Sequence, residues 1–343
     1  MPRLIVFGLA LFFVACNRDD GPSEPRPPES VASPVSPVPV VAEAFAPSSS
    51  SDAVHAADTG IPEPVRPFPA GLKGEVVFQS DREGPTRVYG IDLGTGTIRR
   101  IGPAGDWFDE EPQWSPDGNR IALASTRAEK GNLDIFVMDR DGANLVRVTD
   151  HPSSEQGPAW AADGQSIFFT GTRDGRAEIY RVWLADKRVE RVTSGFDRAI
   201  MPAASPDGRY LAYAAQTVMH FQLHLLDLHA GTTRQITSGG GACHPNFAPD
   251  SQELAFVRLD TDPSRLEAVR ETGARVVLAD AKMWSYYPDY SSDGRYVIFS
   301  VSPEHHRGED WDLAVIDQQK PGQFIRLTTG PGNDRVPDWR PLK

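Results

Sequence analysis

A seven-residue phrase, Pro-x-aromatic-Ser-Pro-Asp-Gly, recurs down the chain at a nearly constant interval and limits it to an architecture assembled from one repeated unit. It reads PQWSPDG from Pro112, PAWAADG from Pro158, PAASPDG from Pro202, PNFAPDS from Pro245 and PDYSSDG from Pro288, and a shortened PDWRP starts at Pro337. Successive prolines stand 46, 44, 43, 43 and 49 residues apart. In four of the copies an Asp-Gly pair marks a tight hairpin turn, because glycine takes positive φ cheaply and aspartate can hydrogen-bond its own backbone. An apolar strand is expected next, at 120–125, 166–170, 210–214, 254–257 and 296–300. After a variable loop comes a third strand such as Asp134 to Asp139, and a fourth strand closes on Arg-x-Thr, as at Arg147-Val148-Thr149, Arg191-Val192-Thr193 and Arg326-Leu327-Thr328.

A period of this length fits one four-stranded blade of a propeller. With 30 Pro and 30 Gly among 343 residues, an all-β, turn-rich fold is expected in preference to a helical one. Strand counting shows how the ring would close. Residues 75–102 hold second, third and fourth strands (EVVFQS, TRVYGIDL, TIRRIG) without a Pro-x-aromatic strand before them, and the chain ends in such a strand with nothing after it. The C-terminal strand should therefore complete the first blade, giving an all-β, six-bladed β-propeller over residues 71–343 with no exposed inner edge. Trp114, Trp160, Phe247, Tyr290 and Trp339 then read as packing between blades.

The aromatic, turn and Arg-x-Thr elements in six registered copies resemble the TolB-type propeller repeat, and the resemblance covers about four fifths of the chain. It implies a non-catalytic interaction module of the bacterial envelope. TolB proteins carry an α/β domain ahead of the propeller, whereas a tether is expected here, so their partners are not carried over. Some similar propellers are metal-dependent polysaccharide lyases. Others accompany serine peptidases, but those need a G-x-S-x-G elbow, which this sequence lacks.

The amino terminus reads as an address. Arg3 precedes an apolar run from Leu4 to Ala15, too short to span a bilayer stably and typical of a signal peptide. The run ends in Phe13-Val14-Ala15-Cys16, which resembles a lipobox. Residues 1–16 are thus expected to be a lipoprotein signal peptide with Cys16 as the acylated residue, anchoring the protein on the periplasmic side of the outer membrane. Residues 17–70, rich in Pro, Ser and Ala and without a period of 2 or 3.6, are expected to form a disordered linker with an end-to-end distance of roughly 40 Å. The remaining cysteine, Cys243, is expected to be a small buried free thiol.

The formal net charge of −12 and the lack of a basic patch with interleaved aromatics argue against nucleic-acid binding. In a rigid repeat scaffold, function concentrates in the loops that vary from blade to blade. The candidates for a binding face are Trp107, Phe108, Glu110, Glu111, His244, Trp284, Tyr286, Tyr287, His305, His306 and Trp311, all assigned to such loops. Aromatics beside carboxylates suit a protein, a peptide or a glycan; the competing reading has Trp107, Trp284 and Trp311 plugging gaps between loops. The His305-His306 pair is a poor chelate by itself and needs a third ligand such as His244. No metal, cofactor or catalytic residue is assigned, and a monomer binding an envelope protein or peptide is expected. The alternatives are a lyase-type, metal-dependent enzyme and a peptidoglycan- or glycan-binding module.

Overall fold

The computed structural model describes Phe68 and residues 71–216, 220–270, 273–279, 282–304, 309–320, 323–330 and 332–341. Its 24 strands form six four-stranded antiparallel sheets. Five blades are built from consecutive strands, and blade 1 takes its inner strand, Arg335–Trp339, from the chain's end. The other inner strands are Asp109–Trp114, Glu155–Trp160, Arg198–Ala204, Ala242–Phe247 and Trp284–Tyr290, for blades 2 to 6 in order. The second strands match the expected positions and run slightly longer, to Glu129 in blade 2 and Ser302 in blade 6.

Closure follows the expected pairing. Trp339 lies opposite Val76 and Asp338 opposite Val77, and the Arg340 amide donates to the Glu75 carbonyl at 2.9 Å. The Trp339 indole N–H reaches the Lys73 carbonyl at 3.2 Å, while its ring stacks on Tyr296 of blade 6 with centroids 6.2 Å apart. Phe68 and Leu72 are buried in the same cluster.

The anchor aromatics do wedge blades together. Trp114 packs among Val77 and Val88 of blade 1 and Ile121 and Leu123 of blade 2, and Trp160 does the same between blades 2 and 3. The Tyr290 hydroxyl donates to Glu253 of blade 5 at 2.9 Å. The turn chemistry is equally direct: in blade 2 the Gly118 amide donates to the Ser115 carbonyl at 2.7 Å, with Gly118 at φ 65°. Ser251, which replaces the glycine in PNFAPDS, is held at φ 61°, a conformation that costs a side-chain-bearing residue on the order of 1 kcal/mol. The threonines that close the fourth strands, Thr149, Thr193 and Thr328 of Arg-x-Thr and Thr237 of Gln-Ile-Thr, bridge outer to third strands, each accepting a third-strand amide at 2.8–2.9 Å.

Each inner strand carries the same irregularity. Two residues, the anchor proline and the one before it, oppose a single residue of the second strand in all six blades. Proline lacks the N–H that a regular ladder needs, and a bulge accommodates it. The preceding residue takes a left-handed conformation every time: Glu111, Gly157, Met201, His244, Tyr287 and Val336 have φ between 49° and 60°. Trp339→Ala, which removes the wedge at the closing seam, is expected to cost about 3–5 kcal/mol, read as a lower urea midpoint; an unchanged midpoint would mean that the seam does not limit stability.

Candidate functional site

The bulges turn six residues, five of them with side chains, toward the propeller axis, where a cavity of about 710 Å³ runs, within the range of about 300–1,000 Å³ usual for ligand pockets. At one end it is lined by residues of the Ser-Pro-Asp-Gly turns, such as Pro116, Pro206 and Ser292; at the other stand the six left-handed residues. Between them lie the residues that follow each anchor proline: Gln113, Ala159, Ala203, Asn246, Asp289 and Asp338. Chemistry is distributed unevenly around this axis. Blades 5, 6, 1 and 2 supply His244, Asn246, Tyr287, Asp289, Asp338, Glu111 and Gln113, whereas blades 3 and 4 supply Gly157, Ala159, Met201 and Ala203.

Glu111 accepts a hydrogen bond from the Gly157 amide, and its own amide donates to Gln79 Oε1 at 2.9 Å. Its side chain faces the cavity but is walled by protein, and that desolvation raises its pKa against the lowering effect of the Gly157 amide. The His244 ring sits 4.3 Å from that of Tyr287 and 5.6 Å from that of Tyr286, with Nδ1 3.1 Å from Cys243 Sγ. Burial pushes its pKa down to about 3, so the imidazole is neutral at physiological pH. Cys243 is a buried free thiol, as expected.

Asp289 and Asp338 are both buried. Asp289 accepts the amide of Trp339, and Asp338 accepts the amide of Trp114 at 2.6 Å, so each carboxyl ties its blade to the next. Burial raises Asp289 to about 7. Asp338 rises well above the ordinary value for the same reason, and the neighbouring Asp289 charge adds to the rise.

The remaining candidates divide. Glu110, Tyr286 and Trp311 are buried: Trp311 meets Tyr286 edge-on at 5.7 Å within the core, and Glu110 is raised to about 8 by burial and by the adjacent Glu111 and Asp109. Trp107 is half-buried, its indole N–H donating to Asp109 at 3.0 Å and its ring beneath the guanidinium groups of Arg87 and Arg127. Phe108 is exposed and Trp284 half-buried. Cys16, His305 and His306 lie outside the described residues. Among those described, no three His, Cys, Asp or Glu side chains are grouped to hold a metal ion.

One expectation is corrected. Glu110, Glu111, His244, Trp284, Tyr286 and Tyr287 belong to inner strands rather than to loops, because an inner strand pairs on one side only and continues through its bulge upstream of the proline. Sequence reasoning also missed Asp289, Asp338, Asn246 and Gln113, which occupy the variable x of the anchor. It missed the arginines that clamp the start of inner strands as well: Arg82 on Asp334 and Arg127 on Asp109, each at 2.6 Å, and Arg173 on Glu155. The Ser/Thr-x-Arg or Thr-Arg ending of the preceding second strands is the signal that could have found them.

Residues 107–270 match the family model described as the TolB beta propeller domain. Over that segment the repeats match those of a TolB beta propeller. A Tol-Pal system protein TolB of Francisella tularensis is 27% identical over 190 residues, covering 54% of this chain and 43% of that protein. The uncharacterized protein Atu1656 of Agrobacterium fabrum is 31% identical over 157 residues, 42% of this chain and 53% of its own length. The chain thus spans about half or less of the curated relatives it matches. The TolB crystal structure from Acinetobacter baumannii superposes with a TM-score of 0.68 at 21% identity, covering 80% of this chain and 68% of that one, a likeness of fold.

The TolB-type propeller should show the raised aspartates in its stability. Asp289 and Asp338 hold protons in the folded state that an unfolded aspartate, of pKa about 3.9, releases. Their stabilising contribution is therefore fully present below about pH 4 and is lost as pH rises through about 7 for Asp289 and through the raised pKa of Asp338. Turn aspartates such as Asp117 and Asp293, whose pKa values are lowered, act in the opposite sense, so the informative quantity is a difference between variants. Asp289→Asn/Asp338→Asn is expected to gain stability over the parent between pH 4 and 8, measured by urea titration; a difference that stays flat with pH would refute the assignment.

Proposed function

We propose that this protein is a lipid-anchored envelope protein whose propeller serves as a non-catalytic protein-interaction scaffold. Residues 1–16 direct export and Cys16 carries the lipid, residues 17–70 form the tether, and residues 71–343 form the propeller, held on the periplasmic side of the outer membrane as a monomer without a cofactor. The propeller meets its polypeptide partner at the axial cavity, with Glu111, His244 and Tyr287 in contact and Trp107, Phe108 and Trp284 flanking.

The observation that carries this reading is the uneven chemistry of the cavity. Packing alone asks the same of all six inner strands, yet at the bulged residue and the one after the proline four blades present hydrogen-bonding groups to the axis and two present small or apolar ones. Three of these groups, Glu111, His244 and Tyr287, stand on left-handed backbone, costing on the order of 1–3 kcal/mol each, and such strain recurs at ligand sites. A closed ring holds them in place before binding, which lowers the ordering cost of association. Similarity to TolB, which the Francisella relative's name places in the Tol-Pal system, supports a role in the envelope.

A photocrosslinking residue in place of Tyr287 or Trp284, introduced in living cells, is expected to yield one discrete protein adduct; the same residue in place of Val146, exposed on blade 2, is expected to yield none. Adducts from position 146 alone would defeat the reading, and a sugar-bearing adduct would move it to glycan binding. Metabolic labelling with palmitate should mark the parent and not Cys16→Ser. Equal labelling of both would remove the anchor.

A further inference from the structure

The cavity is two-sided in a way that specifies its occupant. On one side Met201, Pro202 and Ala203 of blade 4 form an apolar wall, and on the other lie Asp289 and Asp338, acidic and largely dehydrated. The nearby arginines are engaged elsewhere. Arg120, which lines the turn end, donates to the Gly164 carbonyl at 2.9 Å and lies 4.7 Å from the centre of the Trp160 ring. Arg340 donates to the Gly118 carbonyl at 2.8 Å, and Arg335 lies over Trp311.

A second feature points the same way. Trp114 lines the cavity and is only 5% exposed, yet its indole N–H has no hydrogen-bond partner. The equivalent groups of Trp160 and Trp339 donate to the carbonyls of Gln113 and Lys73. A buried donor left unmatched costs about 1–3 kcal/mol; the N–H is closed off from the cavity, so an occupant's acceptor gains there only as the Trp114 side chain turns to meet it. Lysine and arginine side chains combine a methylene stem that packs on apolar surface with a cationic head, and within a polypeptide each also carries a backbone carbonyl.

We infer that the cavity seats one lysine or arginine side chain of a bound polypeptide, its stem along Met201, Pro202 and Ala203 and its head between Asp289 and Asp338, whose carboxyls release protons to solvent as the cation enters. This rests on the interaction-scaffold reading and names the chemistry of the partner segment. The Trp114 N–H takes a carbonyl of that segment, which separates a polypeptide from a free amine.

The test is calorimetric titration of the full chain in detergent with the capped pentapeptide Gly-Gly-Lys-Gly-Gly, its norleucine counterpart, and n-butylamine. The lysine peptide is expected to bind at least about tenfold more tightly than either. Asp289→Asn/Asp338→Asn keeps acceptors for the Trp339 and Trp114 amides and should weaken the lysine peptide at least about tenfold. If that variant fails to fold, Ala203→Leu, which fills the apolar wall, should weaken it instead.

Comparable binding of the norleucine peptide, no effect of the variants, or no lysine-peptide binding up to about 10 mM overturns the inference; comparable binding of n-butylamine overturns its polypeptide part. A crosslinked partner whose cavity-facing segment lacks both lysine and arginine overturns it while leaving the scaffold reading intact. Lysine-peptide binding without any crosslinked protein would do the reverse.

Discussion

The anchor proline governs this molecule. Having no N–H, it cannot sit in a regular ladder, and each blade answers with the same bulge. The bulge turns one residue into left-handed backbone and aims it at the axis, then returns the strand to register so that the residue two positions after the proline, aromatic in five of the six blades, falls between blades. One covalent constraint thus sets the channel lining and the blade packing at once, six times over. The opposing second-strand residues Phe78, Leu123, Phe169, Tyr213, Phe256 and Phe299 are fully buried, so the bulge also has a large side chain packed behind it.

Because scaffold and site share these strands, stability and recognition draw on the same residues. Asp289 and Asp338 join blades through main-chain amides and line the cavity as well. A carboxyl in that position is poor for stability once ionised, since burial penalises the charge without a full counter-ion. The four blades that carry polar groups include both sides of the closing seam, so the most functional part of the ring is also where its ends meet.

Blade number, strand order, turn chemistry and closure were all legible in the sequence, because each rests on local residues repeated six times. The position of Glu111, His244 and Tyr287 was not. A residue followed by proline reads as the end of an element, and local pattern does not reveal that an inner strand, free on its channel side, tolerates proline within it. Asp289 and Asp338 hid for a different reason: they fill the variable slot of a motif whose other positions are structural, and only the ring brings them together. Tyr286 and Trp311 looked like surface aromatics because the chain around them departs from the repeat, yet that departure builds core.

The seam also determines where the chain enters and leaves. Lys73 lies against Trp339, and Glu75 is bonded to Arg340, so both ends of the ring emerge side by side from blade 1, on the rim that carries the Ser-Pro-Asp-Gly turns. The axial cavity reaches that same rim. Whatever is fused to either terminus, whether a natural extension or a purification tag, stands beside the turn-lined mouth of the cavity and leaves clear the opposite mouth, where Glu111, His244 and Tyr287 stand.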